Sequence, residues 1–164
     1  MSEALMKTLI TDRSMADVLH WRELRDKGYA NMTEAERAEW DLAQMKGAYN
    51  PAWDMNRVGT ALNNLRDRLI ETNYLPPAIF TAKTNWTAQD VPTATALRTY
   101  LKQVEIIRAA MSRYAHTPKT PEYSGGLDHS EANNIEQILL DVDQLITNML
   151  ASRFFCGELF SGER

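Results

Sequence analysis

The sequence has a single cysteine, Cys156. An intrachain disulfide is therefore impossible, and a secreted disulfide scaffold is excluded. It also lacks any apolar run approaching the roughly 18 residues of a membrane-spanning helix. The opening stretch MSEALMKTLITDR is interrupted by Glu3, Lys7, Asp12 and Arg13, whereas a signal peptide needs about 7 to 15 uninterrupted apolar residues. Synthesis and folding in a reducing cytoplasm are the expectation. Neither charge is in large excess. The 18 Lys and Arg against 22 Asp and Glu give a net charge of −4, with no surplus for binding a polyanion and no acidic tail.

Catalytic signatures are missing too. There is no GxxxxGK[ST], GxGxxG or GxSxG. His20, His116 and His129 have no HxxxH spacing and no paired cysteines beside them, so the sequence predicts no metal site, no cofactor and no enzymatic activity. Asp141 and Asp143 sit two apart on a helix and point to different faces, which does not make a carboxylate dyad. Arg57, Arg66 and Arg68 share a segment with Asp54, Asp67 and Glu71. Pairing along the helix accounts for those charges, and nucleic acid is not an expected partner.

What is present is enough for one soluble, mostly helical domain: 164 residues, 44% of them hydrophobic. A chain of that length buries about 70% of its unfolded surface without metal or disulfide. The spacing predicts five helices. The first runs from Ser14, an N-cap, to Lys27, with Gly28 ending it and Met15, Val18, Leu19 and Leu24 as its apolar residues. A capping box of Thr33 and Glu36 opens the second, which is expected to reach Lys46 and close at Gly47. Asn50 before Pro51 opens the third, with Val58, Ala61, Leu62, Leu65 and Leu69 inward and Asn56, Arg57, Asn63, Arg66 and Asp67 toward solvent or a partner. A proline-containing connector over 73–92 is expected to pack Ile79, Phe80 and Trp86 against the bundle. The fourth helix spans Thr93 to Tyr114, with Leu97, Leu101, Val104, Ile107, Met111 and Tyr114 inward. A polar surface loop follows. Asp128 and Glu131 then cap the fifth helix, whose stripe is Ile135, Ile138, Leu139, Val142, Leu145, Ile146 and Met149 and whose outer face carries Glu131, Glu136, Asp141 and Asp143.

The fold class expected is thus all-α: an N-terminal extended segment and helical pair (1–47), a three-helix bundle (48–153) and an apolar tail (154–164). Two glycines in the tail argue against a helix there. Such a tail must fold back or dock on something else. Trp21, Trp40, Trp53 and Trp86 lie near helix boundaries or connectors. At least two of them are expected in the core, and an exposed remainder would mark a protein–protein interface. Leu9, Ile10, Trp21, Trp53, Trp86, Phe154, Phe155, Leu159 and Phe160 are the interface candidates.

The strings KGAYN, DMNRV and ILLDVDQLITNM with the closing SGE, in order along nearly the whole chain, resemble a family of small proteins and modules encoded in the tail and structural gene clusters of Firmicutes phages and prophages. Two positions depart from the family pattern: threonine or serine is common there in place of Pro51 to Trp53, and tyrosine in place of Cys156. The resemblance implies a virion component, at the tail tip, baseplate or fibre, assembled in the host cytoplasm by contacts with other tail proteins and with copies of itself. It carries over no catalytic residue. The alternative reading is a non-virion phage accessory protein that binds and inhibits a host protein, with the acidic fifth helix in a basic groove.

Overall fold

In the computed structural model the described residues are 2–42, 45–74, 76 and 78–161; the side chains of 2, 3 and 153–161 lie outside that description. The architecture is all-α, with no strand among the described residues. Six α-helices follow in order: α1 (Ser2–Met6), α2 (Met15–Lys27), α3 (Glu34–Asp41), α4 (Asn56–Glu71), α5 (Ala94–Ala109) and α6 (His129–Ser161).

Local signals start these helices where expected. Ser14 caps α2, reciprocally with Asp17, and Thr33 caps α3 reciprocally with Glu36. Asn50 accepts from the Ala52 N–H ahead of a wide π-type turn over Pro51–Met55, which leads straight into α4. The Thr93 hydroxyl accepts from Ala96, and Asp128 exchanges hydrogen bonds with Glu131. Ends were less legible. Helix α3 stops at Asp41 rather than Lys46, because Gly47 is needed elsewhere: a Cβ there would lie 2.0 Å from the Asp17 carbonyl oxygen, so the chain passes directly against α2. Helix α5 stops at Ala109 rather than Tyr114, where the chain turns back and Arg108 takes the Pro118 carbonyl. The 154–161 backbone continues α6 as helix, a correction to the non-helical tail. Extending an existing helix through Gly157 costs about 1 kcal/mol relative to Ala, far less than nucleating one.

Helices α4, α5 and α6 enclose the core. Val58, Ala61, Leu62, Leu65 and Leu69 meet Leu101, Val104 and Ile107 and the α6 stripe Ile135, Ile138, Leu139, Val142 and Ile146. All three run in the same direction. Arg57 near the start of α4 bonds Glu136 near the start of α6, and Arg68 near its end bonds Thr147 and Asp143. Tyr114, just past α5, takes an amide hydrogen from Asn148.

Parallel helices need connectors that travel the full length of the bundle, and both connectors do. Residues 80–86 retrace α4: Arg66 donates to the Phe80 carbonyl at 2.5 Å, Asn63 exchanges two hydrogen bonds with Ala82, and Asn56 exchanges two with Trp86. Residues 118–123 retrace α5 through Arg108 to Pro118, Thr120 to Glu105, and Arg98 stacked on Tyr123. Of the α4 face assigned to solvent or a partner, Asn56, Asn63 and Arg66 are therefore the clamp for an extended strap, while Asp67 is exposed. The second connector, expected as a polar surface loop, is pinned in the same way. Phe80 and Trp86 do pack on the core, whereas Ile79 is 67% exposed, since only strap residues facing α4 can be covered.

Gly59 shows how close this strap runs. A Cβ on Gly59 would sit 2.5 Å from the Lys83 carbonyl oxygen. Gly59→Ala is expected to lose about 1–2 kcal/mol, the helix-propensity gain being outweighed by the overpacking. A lower urea midpoint with an unchanged slope would show this.

Candidate interaction surface and the buried charges beneath it

The N-terminal segment is laid onto the bundle by hydrogen bonds that begin at Ile10. Its N–H donates to Glu136 at 2.6 Å. Three residues on, Arg13 exchanges two backbone hydrogen bonds with the Asn133 amide, at 3.0 and 2.8 Å. The Arg13 guanidinium turns inward, to Asp54 at 3.0 Å and Glu136 at 2.7 Å, and caps the Ile10 carbonyl. From α4, Arg57 reaches the same two carboxylates, at 2.6 and 2.8 Å. Two arginines and two carboxylates thus form a closed, net-neutral cluster in which Glu136 is fully buried.

This cluster corrects the reading of α6. Of the four carboxylates assigned to its outer face, Glu136 and Asp141 are buried. Asp141 accepts from the Thr117 hydroxyl at 2.5 Å and from Gln137, with His116 at 3.6 Å; Asp143 pairs with Arg68. Glu136 lies four residues after buried Ala132 and three before buried Leu139, on the edge of the apolar stripe, and that spacing was the one signal of its burial. Burial works against the charged form of Arg57, but its hydrogen bond and attraction to Glu136, with Asp54 behind, more than offset this and raise its pKa. Beside the cluster the Tyr49 and Tyr100 hydroxyls share a 2.6 Å hydrogen bond. Burial, joined by the negative Glu136, pushes the Tyr49 phenol up; burial and its Tyr49 neighbour do the same for Tyr100.

Above the cluster an open groove of about 450 Å³ separates the N-terminal segment from the start of α4. Leu5, Ile10, Ala52 and Trp53 form its apolar walls, with Thr8, Asn56, Arg57 and Thr60 as the polar lining. Among the described residues Arg57 is the one charged group lining it. Nε and Nη2 of Arg57 are spent on Glu136 and Asp54, while Nη1 has no hydrogen-bond partner among the described residues. Trp53 is 45% exposed, which for an indole outside the core leaves a large apolar face in water.

The interface candidates thus separate. Ile10 and Trp53 come together in this groove, 43 positions apart. Leu9 is partly buried and packs on the core of its own chain. Trp21 stacks on Trp40 with centroids 6.4 Å apart, under the Arg25 guanidinium. Trp86 packs on the core beneath the Lys83 ammonium. Trp86 thus packs against the core, while Trp21 and Trp40 pair with each other half-buried, outside the core. The side chains of Phe154, Phe155, Leu159 and Phe160 lie outside the described residues. Sequence reasoning missed Leu5, Thr8, Ala52 and Thr60, which no periodicity links to Ile10; Asn56 and Arg57 belong to the outward face of α4 that it assigned to solvent or a partner.

The helical pair offers a second, smaller exposed set. Only Leu24 of α2 is buried, while Met15 and Leu19 are half exposed and Leu42 is 65% exposed. Its polar contacts hold α2 and α3 together: Lys27 with Glu36, and His20 with Glu39. The Lys27 hydrogen bond, with the Thr33 N–H behind it, depresses the Glu36 pKa from 4.5 to about 2. Because the folded value lies below the unfolded one, this contact stabilises the fold fully above about pH 4.5. It is lost as pH falls toward about 2. A carboxyl-carbon NMR titration is expected to place the Glu36 midpoint near that value, and Lys27→Met to move it up.

Among the described residues no group of three His, Cys, Asp or Glu could hold a metal ion, and no helix is long and apolar enough to cross a membrane. Comparison with protein-family models, with curated proteins and with solved structures finds no match to this chain.

Proposed function

We propose that this protein is a structural component of a phage virion, associated with the tail tip, baseplate or fibre, and that it acts through protein–protein contacts with tail proteins and with copies of itself. The observation that carries the reading is the Trp53 groove. An exposed tryptophan beside Ile10, in an apolar cleft above a rigid charge cluster, has the makings of a binding hot spot. Rigidity matters here, because a surface that is already ordered loses little entropy on docking. The resemblance of KGAYN, DMNRV and ILLDVDQLITNM to phage tail modules supplies the setting. Mass spectrometry of purified particles is expected to detect the chain at a stoichiometry that matches a particle symmetry. Particles that assemble fully without it would overturn the proposal. The host-inhibitor alternative loses its main support, since the α6 carboxylates it relied on are in part buried.

A further inference from the structure

We infer that the helical pair α2–α3 is a hinged lobe, which swings against the three-helix bundle as one rigid unit while the neck that joins the two stays closed. Such a motion is a property of the fold and is independent of the virion reading.

The pair is tied together from within. Lys27 meets Glu36 at 2.6 Å, Tyr29 donates to Asp41 at 2.9 Å, and Arg37 donates to the Tyr29 and Ala30 carbonyls. Trp21 stacks on Trp40. Leu24 and Met32 are the buried apolar residues of the lobe, and neither belongs to the core that α4, α5 and α6 enclose. Helices α2 and α3 thus have a small apolar centre and a polar network of their own.

Toward the bundle such ties are absent. Among the described residues no hydrogen bond or ion pair joins 14–42 to α4, α5 or α6. Open cavities lie along the seam instead. One, of about 300 Å³, has Met15, Val18 and Trp21 on the lobe side and Leu127 and Ala132 on the bundle side. Another, of about 330 Å³, sets Trp21 and Trp40 against Pro51 and Ala88. Faces parted by voids forgo the dispersion contacts that hold a packed interior together.

The chain enters and leaves the lobe at one place. Arg13, the last residue before it, exchanges two hydrogen bonds with Asn133 and reaches Asp54 at 3.0 Å. On the return, the Asn50 N–H donates to the other oxygen of Asp54 at 2.7 Å, and the Tyr49 hydroxyl bonds Tyr100. One buried carboxylate therefore holds both ends of the excursion, within an arginine's reach of each other. Gly47 lies against Asp17 and Trp21 and so moves with the lobe. That leaves the Arg13–Ser14 junction and Ala48 as the two sides of the hinge, where a few backbone rotations turn the lobe without breaking a bond of the bundle. Lys46 with Asp12 crosses the hinge, but both side chains are exposed and their pairing is weak. The exposed Met15, Leu19 and Leu42 travel with the lobe, so its swing changes where they stand relative to the Trp53 groove.

Residual dipolar couplings of the backbone amides, measured by NMR on the unmodified chain, test this. Couplings from α2 and α3 are expected to fit one alignment tensor together, and those from α4, α5 and α6 another. Averaging by the swing is expected to reduce the lobe's alignment by at least about a fifth relative to the bundle's, since these couplings register hinge motion out to the millisecond range. The Ile10 N–H, held by Glu136, and the Asn50 N–H, held by Asp54, are expected to follow the bundle. Equal alignment magnitudes for lobe and bundle mean a fixed lobe and overturn the inference. Separate tensors for α2 and α3 overturn it as well, because the pair is then not one unit. Ile10 or Asn50 following the lobe overturns it by placing the hinge outside the neck.

Discussion

Glu136→Gln is expected to destabilise the fold by about 3–5 kcal/mol, the usual cost of removing one partner from a buried ion pair. The substitution barely changes volume. It replaces a carboxylate that accepts from the Ile10 N–H, from Arg13 and from Arg57, leaving Asp54 alone to balance two guanidiniums, one of them almost wholly buried. An amide brings two donors of its own into a place where three donors already converge, so at least one is unpaired. For a domain whose total stability is about 5–15 kcal/mol, that is a large share. Urea unfolding followed by circular dichroism measures it. A second variant separates charge from packing. Arg13→Met added to Glu136→Gln restores neutrality, with Asp54 facing Arg57 alone, and is expected to recover at least about 1 kcal/mol relative to Glu136→Gln. If the double variant is less stable than Glu136→Gln by the full cost of Arg13→Met measured alone, the cluster is not a coupled unit.

Leu139→Ala is expected to cost about 2–5 kcal/mol by a different route. Leu139 is fully buried on α6, in the stripe that faces both α4 and α5. Truncation removes three carbons' worth of burial and leaves a void. Three helices already clamped by two straps have little freedom to collapse into it, which places the loss toward the upper part of that range. Thermal unfolding should shift down accordingly, by about 2–4 °C per kcal/mol at this chain length. The same truncation at exposed Leu19 is expected to change stability by less than about 0.5 kcal/mol. The pair of measurements thus distinguishes core from exposed arm.

Much of the fold was legible because its signals are short. Caps are pairs three residues apart, such as Thr33 with Glu36 and Asp128 with Glu131; apolar stripes repeat within two turns. Both are properties of a segment by itself, so α2, α3, α5 and α6 start where the residues say they start, while the Asn50 cap opens the π-type turn ahead of α4. Helix ends were read less well. Those of α3 and α5 are set by where the chain must next be, against Asp17 and alongside Arg108.

The Trp53 groove was half legible. Ile10 and Trp53 could be named separately, as an apolar pair member near the chain start and as a tryptophan at a helix entrance. That they share a groove depends on α1 and its following segment lying against the start of α4. The segment alone assigns the polar face of α4 to solvent or a partner, because nothing within it shows that a strap of residues 80–86 runs back along it.

The sequence by itself determined the helical class, the caps and the residues of the three core stripes, all encoded within a few residues of one another. Only the tertiary structure decided that the three long helices run the same way, that Glu136 is buried, and that Trp53 stands open. The reason is distance along the chain. Glu136 is held by Arg13 from 123 positions away, and Arg13 by Asp54 from 41. Whether a carboxylate is solvated or enclosed depends on such remote partners, and beside Glu136 itself the one local mark is its place at the edge of the apolar stripe.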